Sequence, residues 1–120
     1  MKELNLADSE LRFMQILWER RPLSGAQLVA LCADRLGWKK STTYTVLKRL
    51  SEKGMVKNEN SVITPLVSEK EVQQYESASV VNRSFGGNLP DFVAAFMGDK
   101  KLNKKDADRL RQMIEEFEEE

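Results

Sequence analysis

The stretch GWKKSTTYTVLKRLSEKGMV, residues 37–56, sets two lysines ahead of a run of hydroxyl side chains and ends on a lysine and a glycine. Ser41 stands where an N-cap belongs and Gly54 just past a last turn, so the spacing predicts a helix over 42–53. At a helical advance of about 100° per residue, Thr43, Val46, Leu47 and Leu50 fall together on one side. Ser41, Thr45, Lys48 and Glu52 point the opposite way, with Tyr44 on one flank and Thr42 and Arg49 on the other. A core helix would carry leucine at its front; this one carries hydroxyls, and mostly on the face that does not enter the core.

Upstream, Asp8 can cap a first helix that runs to about Arg20, with Leu11, Met14 and Trp18 at helical spacing and Phe13 and Leu17 widening the stripe. Pro22 stops it. Ser24-Gly-Ala-Gln27 has the spacing of a capping box and is followed by Leu28, Leu31 and Cys32, a second helix ending near Gly37. Downstream, Met55–Asn58 and Val62–Leu66 read as two short strands around Glu59-Asn60-Ser61, with Pro65 tolerated only at an edge. Three helices followed by a hairpin is the order of a winged helix-turn-helix with a short two-stranded wing.

The rest is helical. Ser68-Glu-Lys-Glu71 is another capping box and opens a helix ending near Phe85-Gly86-Gly87; Pro90 suits the first turn of a helix closed by Gly98; Asn103 caps the last one. The fold class expected is therefore mainly α, a winged helix-turn-helix over 1–67 and a three-helix region over 68–120.

The 120 residues are 41% hydrophobic, enough for one or two small domains but not for a large enclosed cavity. Lys plus Arg and Asp plus Glu both number 19, yet they are unevenly placed: residues 1–67 carry 11 basic and 7 acidic, residues 68–120 carry 8 and 12. A basic front and an acidic back suit a nucleic-acid head joined to another module. With one cysteine and no histidine, neither an intrachain disulfide nor an ordinary zinc site can be built, and no metal or cofactor is implied. The first ten residues lack the apolar core of a signal peptide and no apolar run nears the length of a membrane span, so a cytoplasmic protein without membrane insertion is expected.

A helix that enters a DNA major groove needs short polar side chains at its front for base edges and cations along its flanks for phosphates. Thr42, Tyr44, Thr45, Lys48 and Arg49 supply both. The competing reading, in which the hydroxyls only cap the helix and the lysines are solvated, loses ground beside the preceding helix and the following hairpin. Trp18 and Trp38 fall where helices pack their neighbours and are expected in or against the core.

LADSELRFMQILWE, Pro22-Leu-Ser24, the 37–56 stretch and TPLVSEKE occur in an order that resembles the penicillinase-repressor family, the BlaI, MecI and CopY type of bacterial winged-helix regulator. The resemblance spans the N-terminal half and implies a dimeric repressor on a palindromic double-stranded operator. It places Ser41, Thr42 and Thr45 at the reading end of the recognition helix, Arg49 at its backbone-contacting end, and Lys39 and Lys40 at its start. Tyr44 stands where such proteins often carry lysine or another polar residue. The hairpin is short and acidic where relatives commonly have a basic or aromatic tip, leaving Lys57 as its one cation.

The three C-terminal helices each bear one apolar stripe, and the two shorter ones are too small to form a core alone. Val72, Tyr75, Phe85, Leu89, Phe92, Val93, Phe96, Met97, Leu110, Ile114 and Phe117 are the expected core and homodimer interface, in agreement with the resemblance, although folding back onto the winged domain is the alternative. The resemblance also suggests how repression ends. Copper-responsive relatives use a cysteine-rich tail that this chain lacks. Penicillinase-type relatives are cut between an Asn and a Phe, and the equivalent bond here is Ala95–Phe96, with a membrane sensor-protease pathway as the implied partner.

Enzymatic readings have little to stand on. No histidine is available to activate a nucleophile and no Gly-rich loop follows a strand. Asp106, Asp108, Glu115 and Glu116 are read as a solvated face. The expected function is repression by occluding a promoter; the rival is a winged helix used as a protein-protein adaptor, favoured by the zero net charge and the acidic wing.

Overall fold

The computed structural model describes residues 4–119. In chain order these form α1 (Asp8–Glu19), β1 (Leu23–Ser24), α2 (Gly25–Leu36), α3 (Lys40–Glu52), β2 (Val56–Glu59), β3 (Val62–Pro65), α4 (Glu69–Phe85), α5 (Leu89–Met97) and α6 (Lys104–Phe117). They fall into two compact units, Met1–Val80 and Val81–Glu120, divided within α4.

The first unit is built on one core. Phe13, Met14, Ile16 and Leu17 of α1, Leu28 and Cys32 of α2, and Val46, Leu47 and Leu50 of α3 meet Met55, Val56 and Ile63 of the hairpin. Thr43 is buried with them, so the apolar face expected for α3 is the face it buries. The stripe of α1 is centred one position earlier than its spacing suggested: Glu10, Phe13, Met14 and Leu17 are buried, whereas Leu11 and Trp18 are only partly so. Trp18 and Trp38 both pack against the core, as expected.

Helix starts follow local hydrogen bonding. Ser24 Oγ accepts from the Gln27 amide at 3.1 Å and Gln27 Oε1 accepts from the Ser24 amide at 2.9 Å, the reciprocal arrangement that the spacing predicts. Gly37, at φ +68°, closes α2 in the left-handed region that favours glycine. Two expected caps are displaced. Asp8 is the first residue inside α1 and Ala7 its N-cap, because Glu10 Oε1 accepts the Ala7 amide at 2.8 Å. Ser41 lies inside α3, which starts at Lys40 behind Lys39, two residues sooner than expected, just after Trp38, which packs against the core.

The sheet has three strands, not the two expected. Its order is β1-β3-β2 and both pairings are antiparallel, with Leu23 opposite Ile63 and Val56 opposite Pro65. Two residues are too few to show a periodicity, so β1 is recognisable only through its partner. β3 is thus central, yet Pro65 does no harm, because β1 pairs only as far as Ile63 and leaves Pro65 beyond its end. The turn consists of Asn60 and Ser61, at φ +53° and +63°, while Glu59 belongs to β2.

Ser68 caps α4, its Oγ accepting the Glu71 amide at 3.0 Å. Val72, expected at a dimer interface, is instead 1% exposed and part of the core of the first unit, because this first turn of α4 lies on that core.

In the second unit, Asn88 caps α5 through the Asp91 amide and Asn103 caps α6 through the Asp106 amide. Phe85 and Phe92 meet edge to face, ring centres 5.5 Å apart. Among the described residues, no side chain of α5 or α6 is fully buried: Phe96 and Ile114 are each 66% exposed and Phe117 is 78% exposed. No helix of the described residues is long and apolar enough to cross a membrane.

Candidate nucleic-acid interface

Burying Thr43, Val46, Leu47 and Leu50 turns the opposite face of α3 outward. Ser41, Thr42, Thr45, Lys48 and Arg49 are exposed there, as are Lys39 and Lys40 at the helix start. Ser41, Thr42, Thr45 and Arg49 line an open groove of about 260 Å³ together with Ser9, Trp38 and Val46. Ser9 and Trp38 are additions that α3 alone could not reveal. They reach the groove from the start of α1 and from the loop before α3.

Thr45 is already partly committed. Its hydroxyl donates to the Ser41 carbonyl at 2.9 Å, which leaves the oxygen lone pairs and the methyl group to face outward. Such a side chain can accept from a base amino group or rest on a thymine methyl. Tyr44 leans back rather than forward: it is 42% exposed, its hydroxyl lies 3.3 Å from where a Cβ on Gly25 would stand, and Lys40 Nζ sits 5.9 Å from its ring centre. Its tip therefore belongs to the contact between α2 and α3, with one ring edge outward.

The cations differ in what already holds them. Lys48 makes no ion pair among the described residues. Lys57, on the wing, pairs with Glu59 at 3.2 Å, two residues along the same strand face, so the wing presents little net positive charge. Arg49 Nε stands 4.0 Å from Glu10 Oε2, and Lys53 Nζ 2.8 Å from Glu10 Oε1.

Glu10 is a residue that sequence reasoning missed. It is 2% exposed, a carboxylate on the apolar stripe of α1. Burial pushes its pKa up, but the Lys53 hydrogen bond, the Ala7 amide and the charges of Lys53 and Arg49 outweigh that and hold the carboxyl below its ordinary value. The signal was present in the 10, 13, 14, 17 spacing, since an acid on a buried face requires a cationic partner.

Cys32 is fully buried and burial raises its thiol pKa, the Thr43 hydroxyl bond offsetting this only in part. It is a packing residue of the core. Tyr75, expected at the interface, is half-buried and belongs to the first unit; in the second, Phe85, Phe92 and Met97 are half-buried. Leu89, Val93, Phe96, Leu110, Ile114 and Phe117 are exposed. Ala95 and Phe96 lie inside α5, one turn before Gly98.

A family model described as the penicillinase repressor matches residues 6–116. The chain is 26% identical to the penicillinase repressor of Bacillus licheniformis over 97% of its own length and 94% of that protein's. It is 23% identical to the methicillin resistance regulatory protein MecI of Staphylococcus aureus, over 94% and 95%. Among solved structures it resembles the DNA binding domain of the repressor BlaI, with a TM-score of 0.51 and 26% identity, covering 58% of this chain and 90% of that one.

Proposed function

Because this chain belongs to the penicillinase repressor family and is a DNA-binding transcriptional repressor, we propose that it works as a homodimer whose two α3 helices read the half-sites of an inverted repeat. The observation that carries this is the two-sidedness of α3. Its inner face is fully committed to the core, while its outer face offers hydroxyls at the front and cations along the flanks.

Lys39, Lys40, Lys48 and Arg49 supply phosphate contacts, which give affinity and salt dependence without sequence choice. Ser41, Thr42 and Thr45 supply base contacts, with Tyr44 setting how α3 sits on α2. Lys57 adds little while Glu59 neutralises it.

Dimerisation is supported by the second unit. Apolar stripes on α5 and α6 in which no described residue is fully buried need a cover, and a second copy gives a closed two-fold arrangement. Such a dimer presents its recognition helices about 34–36 Å apart, one turn of DNA. Release by cleavage in this unit would undo the dimer. The Ala95–Phe96 bond is helical, so a protease acting there has to unwind the last turn of α5 first.

The test is selection from random-sequence duplex DNA at several salt concentrations, with the solution mass measured on the same sample. A dimer enriching an inverted repeat is expected. A dimer with neither enrichment nor salt-dependent binding would replace this reading with that of a protein-protein adaptor.

A further inference from the structure

We propose that Glu10 divides the two cations at the C-terminal end of α3 between two tasks, fixing Lys53 as a strut to α1 and orienting Arg49 toward a DNA phosphate. The inference rests on the repressor reading and assigns a positioning residue within it. Glu10 Oε1 accepts from the Ala7 amide at 2.8 Å and from Lys53 Nζ at 2.8 Å. Lys53 Nζ also donates to the Asn5 carbonyl at 3.3 Å. Two of the three ammonium donors are thus used inside the protein, and a compact charge so held has little left for DNA.

Arg49 is treated differently by the same carboxylate. Its Nε is 4.0 Å from Oε2, too far for a hydrogen bond and near enough for a Coulombic pull. Among the described residues nothing occupies its two terminal nitrogens, and it lines the groove beside Ser9, Ser41, Thr42 and Thr45. The planar fork that matches a phosphate is therefore left open while its Nε edge faces a fixed, buried charge. A guanidinium oriented in advance loses less freedom when the phosphate arrives.

Removing a negative charge near DNA by itself strengthens attraction to a polyanion, so a loss of affinity on Glu10→Gln has to come through Arg49. The experiment is a double-mutant cycle of Glu10→Gln and Arg49→Ala on a random-sequence duplex over a salt series, at a temperature where circular dichroism shows every variant folded. Glu10→Gln is expected to weaken binding about 3-fold to 10-fold, the worth of one ordered long side chain. The loss should shrink below about 2-fold in the Arg49→Ala background. Equal losses in both backgrounds, or tighter binding by Glu10→Gln, overturn the proposal.

Lys53→Gln provides the second arm. It should lower the melting temperature while leaving the slope of log affinity against log salt as in the parent, whereas Arg49→Ala lowers that slope by about 0.9. A slope lowered equally by Lys53→Gln overturns the division of tasks, and this arm decides alone should Glu10→Gln not fold. Failure of the parent protein to bind any duplex at low salt is a different result and removes the repressor reading itself.

Discussion

The Trp18 indole Nε1–H donates to the Val67 carbonyl at 2.9 Å, joining the last turn of α1 to a residue 49 positions further along the chain. Val67 is buried, and Ser68 beside it caps α4. One hydrogen bond thus fixes where the chain leaves the wing and where α4 begins. Trp18→Phe keeps most of the apolar packing but leaves the Val67 carbonyl without its donor. The expected cost is about 1–2 kcal/mol, read as a lower urea midpoint with an unchanged m-value. Faster amide exchange at 68–72 should accompany it, and an unaltered midpoint would contradict the role.

The Glu10 carboxyl gives stability a direction in pH. Its pKa is held below the ordinary 4.5 in the folded chain, burial opposing and Lys53, the Ala7 amide and Arg49 prevailing. The unfolded chain therefore takes up this proton more readily, so the contribution is complete above the unfolded value and is lost as pH falls through the folded one. Thermal melts from about pH 6 to pH 3 should show the parent losing stability more steeply than Glu10→Gln. Parallel curves would mean that other carboxylates account for the acid limb.

Arg49→Ala and Thr45→Ala should separate affinity from choice. The first removes a phosphate partner, so it should weaken specific and random DNA alike and reduce the salt slope by about 0.9. The second should mainly relax base preference, by about 1–3 kcal/mol at one position. Because the Thr45 hydroxyl already donates to Ser41, Thr45→Val, which keeps a methyl and loses the lone pairs, tells the two modes of reading apart. Retained preference in Thr45→Val points to a thymine methyl, lost preference to an amino group. Equal losses on specific and random DNA would remove Thr45 from the readers.

Ile114→Glu places a charge on the exposed stripe of α6 while disturbing no core of its own chain, since Ile114 is 66% exposed. The expected outcome is a folded monomer in sedimentation equilibrium that binds a half-site as the parent does and an inverted repeat far more weakly. A folded dimer would move the interface away from α6.

Much of the reading face was legible because helical spacing is a local property. Thr43, Val46, Leu47 and Leu50 define a buried side, and with it the outward direction of Ser41, Thr45 and Lys48, without knowledge of what buries them. The partners in the groove were not legible. Ser9 and Trp38 arrive from other segments, Ser9 by the packing of α1 against α3 and Trp38 from the loop before α3. The same holds for Glu10, whose need for a cation was implied by its stripe but whose choice of Lys53, 43 positions away, was not.

By itself the sequence determined the six helices, the hairpin and the face of α3 turned outward, because periodicity, caps and glycine stops act over a few residues and survive any tertiary arrangement. Tertiary structure alone decided the third strand, which two residues cannot announce, and the fate of Val72, an apolar residue that could have covered a partner and covers its own core instead. It also decided which cations stay free. A lysine and an arginine four positions apart look alike in sequence, and only the placement of one buried carboxylate makes the first a strut and leaves the second open to solvent.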